Sequence, residues 1–359
     1  MWPNTRLLEL IGIEQPIVQA PMAGASGPEM AIAVGQAGGL GSLPCAMLDP
    51  QSAATQLAMV RQQTDTPVNL NFFCHTPEAP DPQREQQWRQ TLAGYYAELQ
   101  LDPDNIAPGA TRAPFSEAMC QLVEQQRPEV VSFHFGLPSA DLLTRVKTSG
   151  AKVLSSATTV AEAVWLEQHG CDAIIAQGYE AGGHRGLFLG SDLHAQPGTL
   201  ALVPQVVDAV RVPVIAAGGI GDGRGIAAAF ALGAAGVQLG TAYLFTPEAI
   251  ISDLHRHSLA RGTDDQTTFT NLFSGKPARG LMNRLMHEVG PLSEAVPTFP
   301  TAGTALGPLK AAAERTGSAD FSSLWSGQAV AMGQVADAAT LTRTLAAEAR
   351  ACMTGLKAG

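Results

Sequence analysis

Short apolar segments alternate with amphipathic ones along the first 245 residues of the chain. Eight of the segments are continuously apolar or small, which is typical of strands buried on both faces of a parallel sheet. These predicted strands are PIVQAPM (16–22), GLGSLP (39–44), PVNLNFF (67–73), VVSFHF (130–135), KVLSSA (152–157), AIIAQG (173–178), PVIAAGG (213–219) and GVQLGT (236–241). Helical periodicity predicts helices between them, over 28–37, 139–149, 160–169, 200–210 and 223–232.

Eight β/α repeats with short connections predict a TIM (β/α)8 barrel of the α/β class. A doubly wound sheet of six strands would leave two predicted strands unplaced. It would also require GxGxxG after the first strand, where the chain has APMAGASGPE (20–29). We therefore expect residues 1–246 to form a barrel.

Two further regions interrupt or follow the repeat. Residues 75–115 are long, Pro-rich and polar, and we expect a loop with a helix over the barrel mouth. The composition changes again over 247–313, which predicts a small second domain inserted after strand 8. The Ala-rich end, 314–359, predicts a pair of amphipathic helices that pack back on the barrel.

Composition excludes several classes of function. The 359 residues carry a formal charge of −10 without a basic block, which argues against nucleic acid and anionic membranes as partners. The five cysteines are widely spaced and include no CxxC pair, so neither a metal site nor a disulfide framework is predicted. No signal peptide and no run of about 18 apolar residues is evident, so we expect a cytoplasmic protein.

The turns after the seventh and eighth predicted strands are the first candidate site. They contain AAGGIGDGRG (216–225) and QLGT (238–241), in the place where barrels bind phosphate. Gly218 and Gly219 allow backbone amides to approach a ligand closely, and Asp222 can cap the following helix, whose free N–H groups would favour an anion. The alternative is a pair of ordinary βα turns, which use the same residue types.

The loop AQGYEAGGHRG (176–186), after the sixth predicted strand, is the second candidate. Gly182 and Gly183 permit a tight bend that presents His184 over the barrel mouth. A neutral imidazole can take a proton from carbon, and a protonated one can stabilise an adjacent anion. The alternative is an exposed loop histidine.

Polar residues in the third and fourth predicted strands are further candidates. Alternation along the strand places His134 opposite Phe133 and Phe135, so it faces the lumen if the phenylalanines face the helices. A buried histidine with satisfied hydrogen bonds remains the alternative. Asn69 and Asn71 share one face and can recognise the edge of a heterocycle, unless they cap the core.

The turn after the first strand, APMAG (20–24), offers backbone amides and the soft Met22 side chain, which can pack on a flat ring. The remaining histidines are weaker candidates. We expect His255 and His257 to be surface residues of a charged helix. The others have no ligand-spaced partner: His75, His169, His194 and His287.

Together these segments resemble the nitronate monooxygenases, formerly called 2-nitropropane dioxygenases, and in particular their class I branch. The resemblance rests on 19–42 (QAPMAG and AGGLGS), NLNFF (69–73), FHFG (133–136), QGYEAGGHRG (177–186), AAGGIGDGRG (216–225), QLGT (238–241), SGKPARGLMNRLM (274–286) and DFSSLWSGQA (320–329). It spans almost the whole chain. EAGGHRG after a barrel strand is fairly specific, whereas the phosphate turns are shared with many FMN barrels.

The resemblance implies non-covalent FMN and the oxidation of nitronates, such as propionate 3-nitronate, by O₂ to a carbonyl compound and nitrite. The implied catalytic residues are His184 and His134. The implied FMN contacts are Ala20, Pro21, Met22, Asn71, Gln177, Gly182, Gly218, Gly219, Gln238, Leu239, Gly240 and Thr241. The segment FPTAGTALGPLK (299–310) departs from the family, because the aromatic and lysine residues that some members place near the pocket are not evident there.

Three alternatives remain open. The nearest is an FMN barrel that uses NAD(P)H, either an enoyl-acyl-carrier-protein reductase or a quinone reductase. The second is a flavin-binding or regulatory protein without turnover. The third is a phosphosugar isomerase barrel, which would be colourless. The resemblance implies a small nitro compound and O₂ as partners of a monomer or homodimer.

Overall fold

The computed structural model of the chain describes residues 2–106 and 112–358, with side chains up to Gly355. Residues 107–111 of the predicted loop segment 75–115 lie outside the described part.

Eight parallel strands form a nearly closed barrel, which confirms the predicted fold class. The strands are β1 (Ile17–Gln19), β2 (Gly41–Pro44), β3 (Val68–Phe73), β4 (Val130–His134), β5 (Lys152–Ala157), β6 (Ala173–Gln177), β8 (Val214–Ala217) and β9 (Gly236–Leu239). They pair in the order β1-β9-β8-β6-β5-β4-β3-β2. The ring closes where Leu40, just before β2, forms a parallel bridge with Val18.

The strands are apolar throughout because their alternate residues face two separate cores. Val18, Ile175 and Ile215 point into the barrel, where they meet Leu7. Phe133 and similar residues point outward and pack beneath the helices. Burying a side chain of this size stabilises the fold by about 1.5–3 kcal/mol. Each strand contributes such side chains to both cores.

The five predicted helices are present, each with ends within one residue of the predicted ones, and others accompany them. The helices are α1 (Arg6–Ile11), α2 (Pro28–Gln36), α3 (Pro50–Gln63), α4 (Pro82–Glu98), α5 (Glu117–Gln126), α6 (Ala140–Thr148), α7 (Val160–Gln168), α8 (Thr199–Ala209), α9 (Gly223–Ala231), α10 (Thr241–Leu244), α11 (Asp253–Ala260), α12 (Arg284–Val289), α13 (Gly307–Arg315) and α14 (Ala338–Ala358). Asp49, Ser116 and Thr159 accept hydrogen bonds from the first turns of α3, α5 and α7, which fixes where these helices begin.

A second, antiparallel sheet lies beyond the barrel. It contains β10 (Thr267–Thr270), β11 (Ala278–Leu281) and the two-residue strand β7 (Gly183–His184), in the order β10-β11-β7. Two of these strands come from residues 247–313, and β7 comes from the loop after β6. The predicted inserted region is therefore joined to the barrel by main-chain pairing, while the domain boundaries at 246 and 313 stay predictions.

The helix expected within 75–115 is α4, and it packs on the inserted region. Trp88 is buried and donates its indole N–H to the carbonyl of Ala302 at 3.1 Å. Tyr96 donates its hydroxyl to the carbonyl of Ala305 at 2.6 Å. These contacts cross more than 200 residues of sequence, so they tie α4 to the region after the barrel.

The prediction of a pair of helices at the C-terminal end is wrong. A short 3-10 turn at Val330–Met332 precedes one long helix, α14, which packs against α2 and α9 as expected of a segment returning to the barrel. Residues 333–337 separate the two elements, and the first of them, Gly333, has an extended backbone. In the part of the chain that the structure describes, no helix combines the length and apolar character needed to cross a bilayer.

Candidate active site

A cleft of about 490 Å³ lies at the carboxyl ends of the barrel strands, which is the size of a typical small-molecule site. The predicted site residues that line it are Ala20, Pro21, Met22, Asn71, His134, Gln177, Gly182, His184, Gly218, Gly219, Gln238, Gly240 and Thr241. Leu239 does not share this position, because its side chain is buried in the outer core beneath the helices.

One side of the cleft is made of backbone. We call it the glycine wall, and it comprises Gly182, Gly218, Gly219, Gly240 and Thr241. Gly218 and Gly219 have φ of 107° and 71°, a region that side chains rarely allow. A Cβ on Gly182 would lie 2.5 Å from the amide nitrogen of Gly327. These glycines therefore let main-chain segments approach one another closely along this side of the cleft.

The N-terminus of α9 adds no free amides to the glycine wall, although the sequence predicted that its N–H groups would favour an anion. Asp222 caps the helix as predicted, and it accepts hydrogen bonds from the amides of Arg224 and Gly225 at 2.9 and 3.1 Å. The amide of Gly223 donates to Glu348 at 3.2 Å. Because carboxylates occupy these three amides, the prediction that they bind an anion is wrong.

The base of the cleft carries polar groups that suit a heterocycle. The Oε1 atom of Gln238 is buried without a hydrogen-bond partner among the described residues. Asn71 donates to the hydroxyl of Ser132 at 2.9 Å and lines the cleft. Asn69 lies deeper in the barrel, where it donates to Ser42 at 3.0 Å. An unpartnered buried acceptor is costly, so a ligand that donates to Gln238 would stabilise the site.

His184 faces the cleft from β7, and its orientation is fixed from the inserted region. Its Nε2 lies 2.9 Å from the hydroxyl of Ser274. That hydroxyl also lies 3.2 Å from the carbonyl of Lys276, which can accept its single proton, so the geometry favours the tautomer in which the Nε2–H of His184 donates to Ser274. The proton on Nε2 leaves a lone pair on Nδ1, which makes no hydrogen bond with any described residue.

The carbonyl of His184 is held from the barrel. It accepts from Nε2 of His134 at 3.1 Å and from Nε2 of Gln177 at 3.0 Å. The second ring nitrogen of His134 lies 3.0 Å from the hydroxyl of Ser156. His134 thus lines the cleft and is also a partly buried histidine with both ring nitrogens engaged, so it has features of both alternatives left open by the sequence. Gln177 also accepts from the amide of Gly186 at 2.8 Å.

Two buried arginines brace the same loop, and the sequence gave no indication of either. The amide of Arg185 donates to the carbonyl of Pro277 at 2.9 Å. Arg279, on β11, donates twice to the carbonyl of Tyr179, at 3.2 and 3.1 Å, and lies over the Tyr179 ring. Both arginines bond to carbonyls rather than carboxylates, so their role is to fix the backbone on either side of His184.

The histidines around the cleft are neutral at physiological pH. Burial, then the charges of Arg112 and Lys276 among nearby groups, holds the pKa of His184 well below its usual range. Burial lowers the pKa of His134 to about 4. His184 is therefore in the unprotonated form that a proton acceptor needs, although the same shift lowers its basicity, and its predicted second role, holding an anion in its protonated form, is disfavoured in the free protein.

An aromatic cluster surrounds His184 on the side of β3 and β4. The ring centroids of Phe73, Phe135 and Phe299 lie 5.6 to 6.0 Å from that of His184. Phe135 is not directed toward the helices, as alternation along β4 suggested, because its φ of 68° turns it into this cluster. The ring centroid of His75 lies 4.7 Å from that of Phe299, and His75 is buried beside the site. Its sequence context had made it one of the weaker candidates for a site residue.

Two other expectations are corrected at the outer part of the cleft. His255 is buried and lines it, with Nε2 lying 3.1 Å from the carbonyl of Trp325. His257 is exposed, as expected. Lys310 lines the cleft and Phe299 lies beside His184, so the segment 299–310 does contribute an aromatic residue and a lysine.

Comparisons with known proteins agree with this geometry. The family model described as nitronate monooxygenase matches residues 4–348. The chain is 42% identical to a nitronate monooxygenase of Paraburkholderia phytofirmans over 95% of its length and 94% of that protein's, and 41% identical to one of Pseudomonas aeruginosa over 96% and 99%.

Solved structures extend the likeness. The nitroalkane oxidase of Streptomyces ansochromogenes is 38% identical, with a TM-score of 0.88 over 98% of this chain and 99% of that one. FabK of Thermotoga maritima is 25% identical, with a TM-score of 0.74 over 100% and 99%. The chain is an oxidoreductase that belongs to the nitronate monooxygenase family.

Proposed function

We propose that this enzyme is an FMN-dependent nitronate monooxygenase that oxidises alkyl nitronates, such as propionate 3-nitronate, with O₂ to a carbonyl compound and nitrite. The observation that carries the proposal is the setting of His184. It is neutral, it is fixed through Nε2 by Ser274, and its free Nδ1 shares a cleft with the glycine wall.

The residues of the cleft fit FMN. The glycine wall would hold the phosphate through backbone groups, and Gln238 has a buried oxygen that needs a donor. Met22 lines the cleft and can pack on a flat ring. When bound, FMN accepts the electrons that leave the substrate.

His184 acts as the proton acceptor in this proposal. A neutral nitroalkane gives its α-proton to Nδ1 of His184 and becomes the nitronate. A substrate supplied as the nitronate has already lost that proton and does not need the base. His134 and Gln177 position the His184 main chain, so we assign His134 a positioning role in place of direct proton transfer.

The test begins with the purified protein. We expect a yellow protein that takes up oxygen with propionate 3-nitronate and releases nitrite, measured with an oxygen electrode and a nitrite assay. A colourless preparation that FMN cannot reconstitute would contradict the cofactor assignment. A yellow protein that takes up no oxygen with any nitronate would instead be a flavin-binding protein without turnover.

Anaerobic mixing separates this function from the NAD(P)H-dependent alternative. We expect the visible flavin absorption to bleach with propionate 3-nitronate alone and to persist with NADH or NADPH. Rapid bleaching by a nicotinamide would favour a reductase. We also propose a cytoplasmic monomer or homodimer, consistent with the five cysteines being unpaired thiols.

A further inference from the structure

Two cationic side chains that act electrostatically on His184 have no anionic partner among the described residues. Arg112 lines the cleft, and Lys276 places its ammonium 5.2 Å from the centre of the Phe135 ring. Neither side chain forms an ion pair with a carboxylate of the described residues. A partly desolvated charge without a counterion is unfavourable, so such charges persist where a ligand supplies the opposite charge.

The acidic residues of the cleft are already engaged elsewhere. The carboxylate of Glu180 accepts from both the amide and the hydroxyl of Thr199, each at 2.8 Å. The carboxylate of Glu314 accepts from the hydroxyl of Ser322 at 2.7 Å. None of the described carboxylates is thus available to Arg112 and Lys276, which leaves them free to pair with an anionic ligand.

The ring of Phe135 lies between Lys276 and the site. Phe135 has a φ of 68°, which is unusual for a bulky residue and is found where function constrains the chain. Its ring attracts the ammonium of Lys276 and lies 6.0 Å from the ring of His184. One cation is thus held close to the proton acceptor.

The local charge is opposite to that of the whole protein. The chain carries a net charge of −10, yet the charged groups that bias His184 electrostatically are the cations Arg112 and Lys276. Two unpaired positive charges beside one residue favour a ligand of the other sign at that point of the cleft. Since His184 itself is neutral, it does not provide this attraction.

We propose that Arg112 and Lys276 form an oxyanion subsite beside His184, and that Arg112 determines the affinity for anionic substrates. The proposal rests on the proposed nitronate oxidation. The ligand group is a planar oxyanion with two oxygens, which matches the fork of a guanidinium. In a nitronate substrate that group is either the nitronate itself or a carboxylate elsewhere on the same molecule.

The kinetic test compares Arg112→Met with the parent enzyme on two nitronates. Propionate 3-nitronate carries both groups, and propyl-1-nitronate carries only the nitronate. We expect KM for propionate 3-nitronate to rise by about 10- to 100-fold, the usual effect of losing a charged hydrogen bond, with a smaller change in kcat. Arg112→Lys should recover part of the loss, and Lys276→Met should show a smaller loss of the same kind.

The pattern of loss identifies the group that is bound. A loss confined to propionate 3-nitronate assigns Arg112 to the carboxylate, and an equal loss on both substrates assigns it to the nitronate oxygens. Arg89→Met, which removes one positive charge from an exposed position on α4 outside the cleft, should leave both KM values unchanged. Unchanged KM values in Arg112→Met would overturn the subsite.

A binding measurement separates this proposal from the proposed function. Succinate, an unreactive dicarboxylate, is titrated into the FMN-loaded protein by calorimetry, and we expect Arg112→Met to weaken binding at least 10-fold. If nitronates are not oxidised but succinate binding depends on Arg112, the function fails and the subsite stands. If nitronates are oxidised but Arg112→Met leaves the affinities for succinate and for nitronates unchanged, the subsite is contradicted and the function stands.

Discussion

The glycine wall and the side of the cleft around His184 are built in different ways. The wall consists largely of residues that directly follow their own strands, with Gly218 after β8 and Gly240 after β9. The histidine side is assembled across the chain. His184 bonds to Ser274, 90 residues later, and its carbonyl bonds to His134, 50 residues earlier.

This difference follows from what each side supplies. A phosphate cradle needs backbone that can approach closely, and glycine provides this within a single turn. A proton acceptor needs one tautomer and one ring orientation, which only neighbouring side chains can fix. Substitutions in the glycine wall should therefore clash with neighbouring backbone and weaken FMN binding. Substitutions on the histidine side should instead lower the rate of the reaction.

The largest effect is expected from His184→Asn. Asparagine keeps polarity but cannot accept a proton, so oxidation of a neutral nitroalkane such as 1-nitropropane should fall by about 100-fold or more. Oxidation of the matching nitronate should fall much less, because it needs no base. Steady-state oxygen uptake with both substrates measures the difference, and the visible spectrum should still show bound FMN.

His257→Asn is the matched control, since this histidine is exposed on α11 and lies outside the cleft. A rate on neutral nitroalkane that is unchanged in His184→Asn would remove the residue from the mechanism.

Gly218→Ala is expected to have a smaller effect than His184→Asn, and to change the affinity for FMN while leaving the rate intact. A Cβ at this position would lie 2.9 Å from the amide nitrogen of Ala181, so the wall must shift. Loss of one contact to the charged phosphate should weaken FMN binding by about 10-fold or more, measured by fluorescence titration of the flavin-free protein. kcat at saturating FMN should change little.

Gly150→Ala controls for backbone strain. Gly150 has a φ of 99°, similar to the 107° of Gly218, but open space surrounds it. Unchanged FMN affinity in Gly218→Ala would show that the wall does not hold the cofactor.

The same contrast explains how much the sequence could predict. The strands, the barrel and the wall follow from local pattern, because two buried strand faces require apolar runs and tight turns require glycine. Asp222 was identified as a helix cap, and its bonds to the amides of Arg224 and Gly225 are local, whereas the bond from Gly223 to Glu348 depends on α14 packing against α9. The local pattern therefore wrongly left those amides free for an anion.

The histidine side was predicted only in part. The glycines around His184 indicated its importance, yet nothing near it in sequence pointed to Ser274 as its partner. His255 was expected on the surface because its neighbours are charged, but the packing of α11 beside Trp325 buries it. Leu239 was included with its neighbours in QLGT, although strand alternation turns its side chain away from the cleft.

The smallest effect, and the sharpest test of the contrast, is expected from Ser274→Ala. The change removes the acceptor that holds the Nε2 proton of His184, so both neutral tautomers become populated and fewer molecules present a free Nδ1. Loss of one neutral hydrogen bond predicts a fall of about 2- to 10-fold in kcat on neutral nitroalkane.

Ser274→Thr, which keeps a hydroxyl, should recover most of the lost kcat, and Ser258→Ala on α11 should leave kcat unchanged. The affinity for FMN should stay at the parental value, the reverse of the pattern for Gly218→Ala. If Ser274→Ala instead released FMN with kcat intact, the two sides of the cleft would not be separable, because a side-chain contact 90 residues from the histidine would be supporting the cofactor.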